Sequence, residues 1–164
     1  MAEAAKLYDE DFYAWTRTQA EALRRLAGEH WNGPLDLEHL AEEVEDLGKS
    51  QRHAVESLIE RIIEHLLKLE YLPAFEPRRG WLISVLNARN HAGRLLTVAI
   101  RREIEPRLEH AYANARRVTV LALWEHGEIS SGSLLPEACP YALDQVLDDG
   151  WFPPNQHGLV DRYT

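Results

Sequence analysis

From Asp9 onward, apolar residues recur at Phe12, Trp15, Ala22, Leu23 and Leu26, three and four positions apart, which predicts a helix with one buried face. Gly28 supplies its stop, and Asn32-Gly33-Pro34 is a turn cluster. Asp36 follows as an N-cap, with Glu38 in the first turn where a negative charge suits the helix dipole. The second helix carries a stripe of Leu37, Leu40, Val44, Leu47, Ala54, Leu58, Ile62, Leu66 and Leu69, and only Gly48 interrupts it before Pro73. At ~1.5 Å per residue such a helix is about 50 Å long. That exceeds a compact domain of this size, so the sequence predicts either a kink at Gly48 or a partner covering one end.

Pro73 and Pro77 bracket a short connection, after which Trp81, Leu82, Val85, Leu86, Ala92, Leu96 and Ala99 form a third stripe. Pro106 is well placed to open a fourth helix through Leu108, Ala111, Tyr112, Ala115, Val118 and Ala122, ending near Gly127. Beyond Ser130-Ser131-Gly132 the chain becomes rich in proline and aromatics, with a short helix expected over Tyr141 to Leu147. The expected fold is therefore all-α. It comprises an antiparallel bundle of about four helices over 9–127 and a C-terminal arm over 128–164, in one domain covering 1–164. Trp151 and Phe152 are too apolar to leave in water, and a groove of the bundle or of a neighbouring subunit is expected to take them.

With 164 residues, 45% of them hydrophobic and 27% charged, the chain buries enough surface to fold without a metal or disulfide staple. The single cysteine, Cys139, forms no internal bridge, and the opening MAEAAKLYDEDF has no leader-like apolar run, so a cytoplasmic address is expected. Even the apolar stretch Ile62 to Leu69 contains Glu64, His65 and Lys68, which argues against a membrane span. The net charge of −9 is strongly segregated: residues 1–72 hold 8 basic against 16 acidic side chains, 73–117 hold 9 against 4, and 118–164 hold 1 against 7.

Candidate chemistry starts at the acidic run Glu42, Glu43, Glu45, Asp46, because carboxylates one turn apart bind a metal or share a proton when they face a bundle interior. Glu43, three residues from Leu40 and four from Leu47, falls at the edge of the stripe; anchoring an arginine of the third helix is the plainer role for it. His65 lies among Ile62, Leu66 and Leu69, where an imidazole is either a satisfied core residue or a base and ligand. Glu43 and His65 are the catalytic candidates; Glu42, Glu43, His39, His65 and His91 are the candidate ligands of a divalent metal, with no other cofactor expected. No histidine has a glutamate three residues before it, the spacing of di-iron bundles, although His39 to Glu42 and His53 to Glu56 give the reverse. Arg78, Arg79, Arg89, Arg94, Arg101 and Arg102 raise phosphate binding, but pairing with the acidic helices explains them better, and Trp81 is the one interleaved aromatic on their helix. Cys139 has no basic neighbour to activate it, and no nucleophile elbow, phosphate loop, dinucleotide fingerprint or Cys-x-x-Cys occurs.

The stretch Asp36-Leu37-Glu38-His39-Leu40-Ala41-Glu42-Glu43-Val44-Glu45-Asp46-Leu47-Gly48 closely resembles the hallmark of the bacterial family catalogued as domain of unknown function 29. Leu7 to Trp15, His65-Leu66-Leu67-Lys68, Cys139-Pro140-Tyr141 and Trp151-Phe152-Pro153 are similar to that family's other signatures, in the same order, so the resemblance spans nearly the whole chain. It implies a bacterial, all-helical protein and no particular activity. The leading expectation is a non-enzymatic association module working as a homo-oligomer, with the long second helix and the aromatic arm as interface. A metal-dependent bundle enzyme is the alternative, and nucleic-acid binding through the arginines comes third.

Overall fold

The protein's structure, a computed structural model, describes residues 2–73, 77–125 and 135–160. Among them every regular element is helical, and there is no strand. The elements are α1 (Ala2–Glu10), α2 (Phe12–Gly28), α3 (Leu37–Tyr71), α4 (Arg78–Leu95), α5 (Val98–Ile104), a 3-10 turn (Glu105–Arg107), α6 (Leu108–Glu125) and α7 (Leu143–Leu147). The four longer helices, α2, α3, α4 and α6, stand in the order the periodicity predicts. Asp36 caps α3 as expected, its Oδ1 accepting from the His39 amide at 3.2 Å. The expected stop at Gly127 and the Ser130-Ser131-Gly132 turn lie outside the described residues.

A helix not foreseen in the sequence, α1, precedes the first stripe, and the third stripe is divided. Asp11 separates α1 from α2: its Oδ1 accepts from the Ala14 amide and its Oδ2 from the Ala99 amide, both at 2.9 Å. One carboxylate thus satisfies exposed donors at the start of α2 and of α5. The third predicted helix breaks at Leu96 and Thr97, because the Thr97 hydroxyl accepts from the Ile100 amide at 3.2 Å and starts α5 afresh.

Cα packing groups the chain into two compact units, Met1–Val55 with Leu95–Glu103 and Glu56–Arg94 with Ile104–Thr164, and α3 contributes residues to both. In the first unit α3 buries Leu37, Ala41, Gly48 and Val55, while Leu40 and Leu47 are exposed. This is a face rotated by one position from the predicted stripe. The reason is close approach: a Cβ on Gly48 would overlap the hydroxyl of buried Thr16 on α2. Gly48 sits inside an uninterrupted helix and permits contact there. Glu103 closes this unit, accepting from the Tyr13 hydroxyl and from Arg17 at 2.8 Å each, with Arg52 Nε 3.7 Å away.

In the second unit the predicted stripe holds: Leu58, Ile62, Leu66 and Leu69 are buried, beside Ile59, Ile63 and Leu67. The last carbonyls of α3 have no partners within the helix and are met from elsewhere. Arg78 donates to the Leu69 carbonyl at 2.8 Å, and Asn155 donates to the Leu69 and Leu72 carbonyls, also at 2.8 Å. The Gln156 amide reaches the Glu70 carbonyl at 2.8 Å, and His157 Nε2 reaches that of Tyr71 at 3.1 Å. The arm therefore returns to the end of α3.

Candidate functional site

The residues singled out by sequence are dispersed. Glu42 and Glu43 are exposed on α3, since the leucines that flank Glu43 face outward as well. His39 is exposed, its Nδ1 2.6 Å from Asp36 Oδ2, a contact that raises its pKa and lowers that of Asp36. His91 is exposed on α4. His65 is half-buried and donates from Nδ1 to the Arg61 carbonyl at 2.9 Å; burial holds its pKa below the usual histidine value. Among the described residues no three His, Cys, Asp or Glu side chains are arranged to hold a metal ion, and no helix is long and apolar enough to cross a membrane.

Two of the six arginines are interior. Arg78 and Arg89, both 3% exposed, lie in phase with Leu82, Val85 and Ala92 on α4. That spacing is a signal in the sequence, since an arginine inside an apolar stripe requires buried acceptors. Arg89 has three: Nε donates to the Val146 carbonyl at 2.8 Å, Nη1 to that of Trp151 at 2.9 Å and Nη2 to that of Gln145 at 3.0 Å. Its guanidinium also lies 4.9 Å from the centre of the Phe152 ring, a cation–π distance. Desolvation pulls its pKa down, partly offset by Asp149 and Asp148. The arm expected to lie in a groove is thus fixed within its own unit by a planar fork that lysine could not imitate.

Neighbouring contacts serve the same end. The buried Tyr141 hydroxyl donates to Glu70 Oε2 at 2.7 Å, and Gln156 donates to Oε1 at 3.1 Å. Burial first, and then that carboxylate, push the Tyr141 hydroxyl far above its ordinary range. Tyr112 donates to the Pro136 carbonyl, and burial raises it to about 12. Cys139 is half-buried, its thiol raised by desolvation and directed to the Tyr141 carbonyl at 3.3 Å, an environment opposite to that of a catalytic thiolate. A groove of about 440 Å³ lies between the arm and Arg78, but its polar walls, Arg78 and Asn155, already serve the carbonyls of α3.

Some apolar side chains remain exposed. On α6, Ala111, Tyr112, Ala115, Thr119 and Leu123 are buried, while Val118 is 51%, Leu121 58% and Trp124 66% exposed. The run Val118 to Trp124 contains one polar residue, Thr119, so this end of the helix is apolar on all faces although the described residues of its own unit cover only one. Such a helix end asks for a second covering surface. On α3, Leu40 and Leu47 form a smaller exposed pair set among Glu42, Glu43 and Asp46.

The family model described as Domain of unknown function DUF29 matches residues 7–152. Among solved structures, an alpha-helical protein of unknown function from Rhodospirillum rubrum is similar, with 28% sequence identity and a TM-score of 0.78 over 88% of this chain and 90% of that one. No curated protein matches the sequence.

Proposed function

The chain belongs to the family described as Domain of unknown function DUF29, and from that premise we propose that it is a non-enzymatic association module whose α6 pairs with a second copy of itself. The observation that carries this reading is the exposed row Val118, Leu121, Trp124. Its members are three residues apart, so a two-fold axis through Leu121 sets Val118 of one copy against Trp124 of the other. Self-complementarity of this kind favours an isologous contact. The leucines of α3 fit it less well, because a two-fold there brings Glu42, Glu43 and Asp46 toward their own copies. Valine and leucine side chains contribute ~1.5–3 kcal/mol each on full burial, and tryptophan is a frequent centre of binding energy. A stable interface covers about 800 Å² per partner, so the row forms the centre of a larger contact.

Sedimentation velocity over a range of concentrations tests this. The protein should sediment as a dimer at ~50 μM, and Leu121→Glu should sediment as a monomer with unchanged circular dichroism, since Leu121 faces solvent in the single chain. A wild-type protein that stays monomeric throughout that range contradicts the reading.

A further inference from the structure

A second feature, independent of the exposed row, lies wholly within the second unit, at the opposite end of α6. We propose that a cavity of about 170 Å³ there is a binding site for a small zwitterionic amino acid. Its floor is apolar: Ile59 and Ile104 are 0% and 2% exposed, and Ala111 is also buried. Its rim carries both signs of charge. Glu56 and Glu60 come from successive turns of α3, Arg107 from the 3-10 turn, and His110 from the first turn of α6.

The arrangement separates the tasks of recognition. Asn114 donates to Glu60 Oε1 at 2.9 Å, which orients that carboxylate and leaves Oε2 without a partner among the described residues. An ammonium group is the natural complement of Oε2, and Glu56 adds a second negative charge nearby. Arg107 stands 3.6 Å from Glu56, close enough for attraction but too far for a hydrogen bond, so its fork of donors makes no hydrogen bond among the described residues. A ligand carboxylate answers that fork in bidentate fashion, and His110, one turn on, offers a further nitrogen. The floor takes a short aliphatic side chain.

Size narrows the class. A water occupies about 30 Å³ of liquid, so the cavity holds roughly six non-hydrogen atoms, well below the ~300 to 1,000 Å³ of pockets for larger ligands. Alanine is of that size, and its methyl group matches the floor.

Titration of the full-length protein with L-alanine, followed by two-dimensional amide NMR, tests the assignment, with propionate and ethylamine as analogues lacking one charge. The expected result is saturable shifts below ~10 mM alanine at Glu56 to Glu60 and Ile104 to Ala111, with each analogue at least about tenfold weaker. Glu60→Gln, which keeps the acceptor for Asn114, and Arg107→Gln should each weaken binding about tenfold or more while leaving the remaining spectrum in place. Absence of saturable shifts at ~10 mM overturns the proposal, as does equal binding of either analogue or undiminished binding in both variants.

Discussion

Replacing Arg89 with methionine removes the whole fork at nearly constant length and leaves the carbonyls of Val146, Trp151 and Gln145 facing an apolar side chain. An orphaned carbonyl costs about 1–3 kcal/mol when buried, which summed naively gives an upper figure of ~3–9 kcal/mol, since the bonds to Trp151 and Gln145 are only part-buried. Two effects reduce this. Methionine relieves the desolvation of a buried charge, the same effect that draws the Arg89 pKa down, and a loosened arm lets water reach the carbonyls. The net loss should be about 3 kcal/mol, a large part of the ~5–15 kcal/mol that stabilises a domain. Urea unfolding followed by circular dichroism measures it, and hydrogen exchange at the Val146 amide, bonded to Ala142 at 3.0 Å, reports the arm separately. Arg89→Lys should recover less than half, because a point ammonium cannot serve three divergent acceptors. A loss below about 0.5 kcal/mol in Arg89→Met, with unchanged exchange at Val146, refutes the reasoning.

Two further outcomes follow from the same geometry. Gly48→Ala places a methyl against the Thr16 hydroxyl and should destabilise the protein by ~1–3 kcal/mol in chemical denaturation, with most of the loss recovered by adding Thr16→Ala; additive losses in the double variant count against close approach as the reason for glycine. For His65, burial depresses the folded-state pKa, so the unfolded chain takes the proton first. Its stabilising contribution is complete above the unfolded value near 6.5 and is lost as pH falls from there through the folded one, so His65→Gln should flatten the stability profile below about pH 6.5. An unchanged slope in the variant contradicts that assignment. His39 works in the opposite sense, since Asp36 raises its pKa, but that pair is exposed and contributes little.

The fold class and the order of the long helices were legible because α3 keeps its 3.6-residue period through Leu58, Ile62, Leu66 and Leu69, where large side chains and burial coincide. Between Leu37 and Val55 they do not coincide. There the helices approach through Ala41 and Gly48, so the small residues are inside and Leu40 and Leu47 outside, and a hydrophobicity pattern places the face one position off. Glu43 entered as a site candidate on the strength of that pattern, next to leucines that are themselves exposed. The break at Leu96 and the start of α2 at Asp11 were hidden for a related reason: an aspartate ahead of a helical stripe reads as surface until its second donor, the Ala99 amide 88 positions on, is known. Arg89 was noticed only as a charge. Its acceptors lie 56 to 62 positions away, and composition gives no account of them, although its phase with Leu82 and Val85 did mark it as interior. Of the exposed row only Val118 falls on the stripe predicted for the fourth helix, and Leu121 and Trp124 were not singled out, because nothing local says which faces of Val118 to Trp124 are covered.

Self-pairing through α6 is tested most directly at its axis. In a Cys139→Ser background, which removes the one native thiol, Leu121→Cys places a cysteine where a two-fold contact meets itself. Under mild oxidation at ~50 μM this variant should form a disulfide-linked dimer rapidly and nearly completely, and cysteine at exposed Val160 should not. Slow cross-linking at position 121, no faster than at position 160, would contradict the assignment of α6 as the pairing surface.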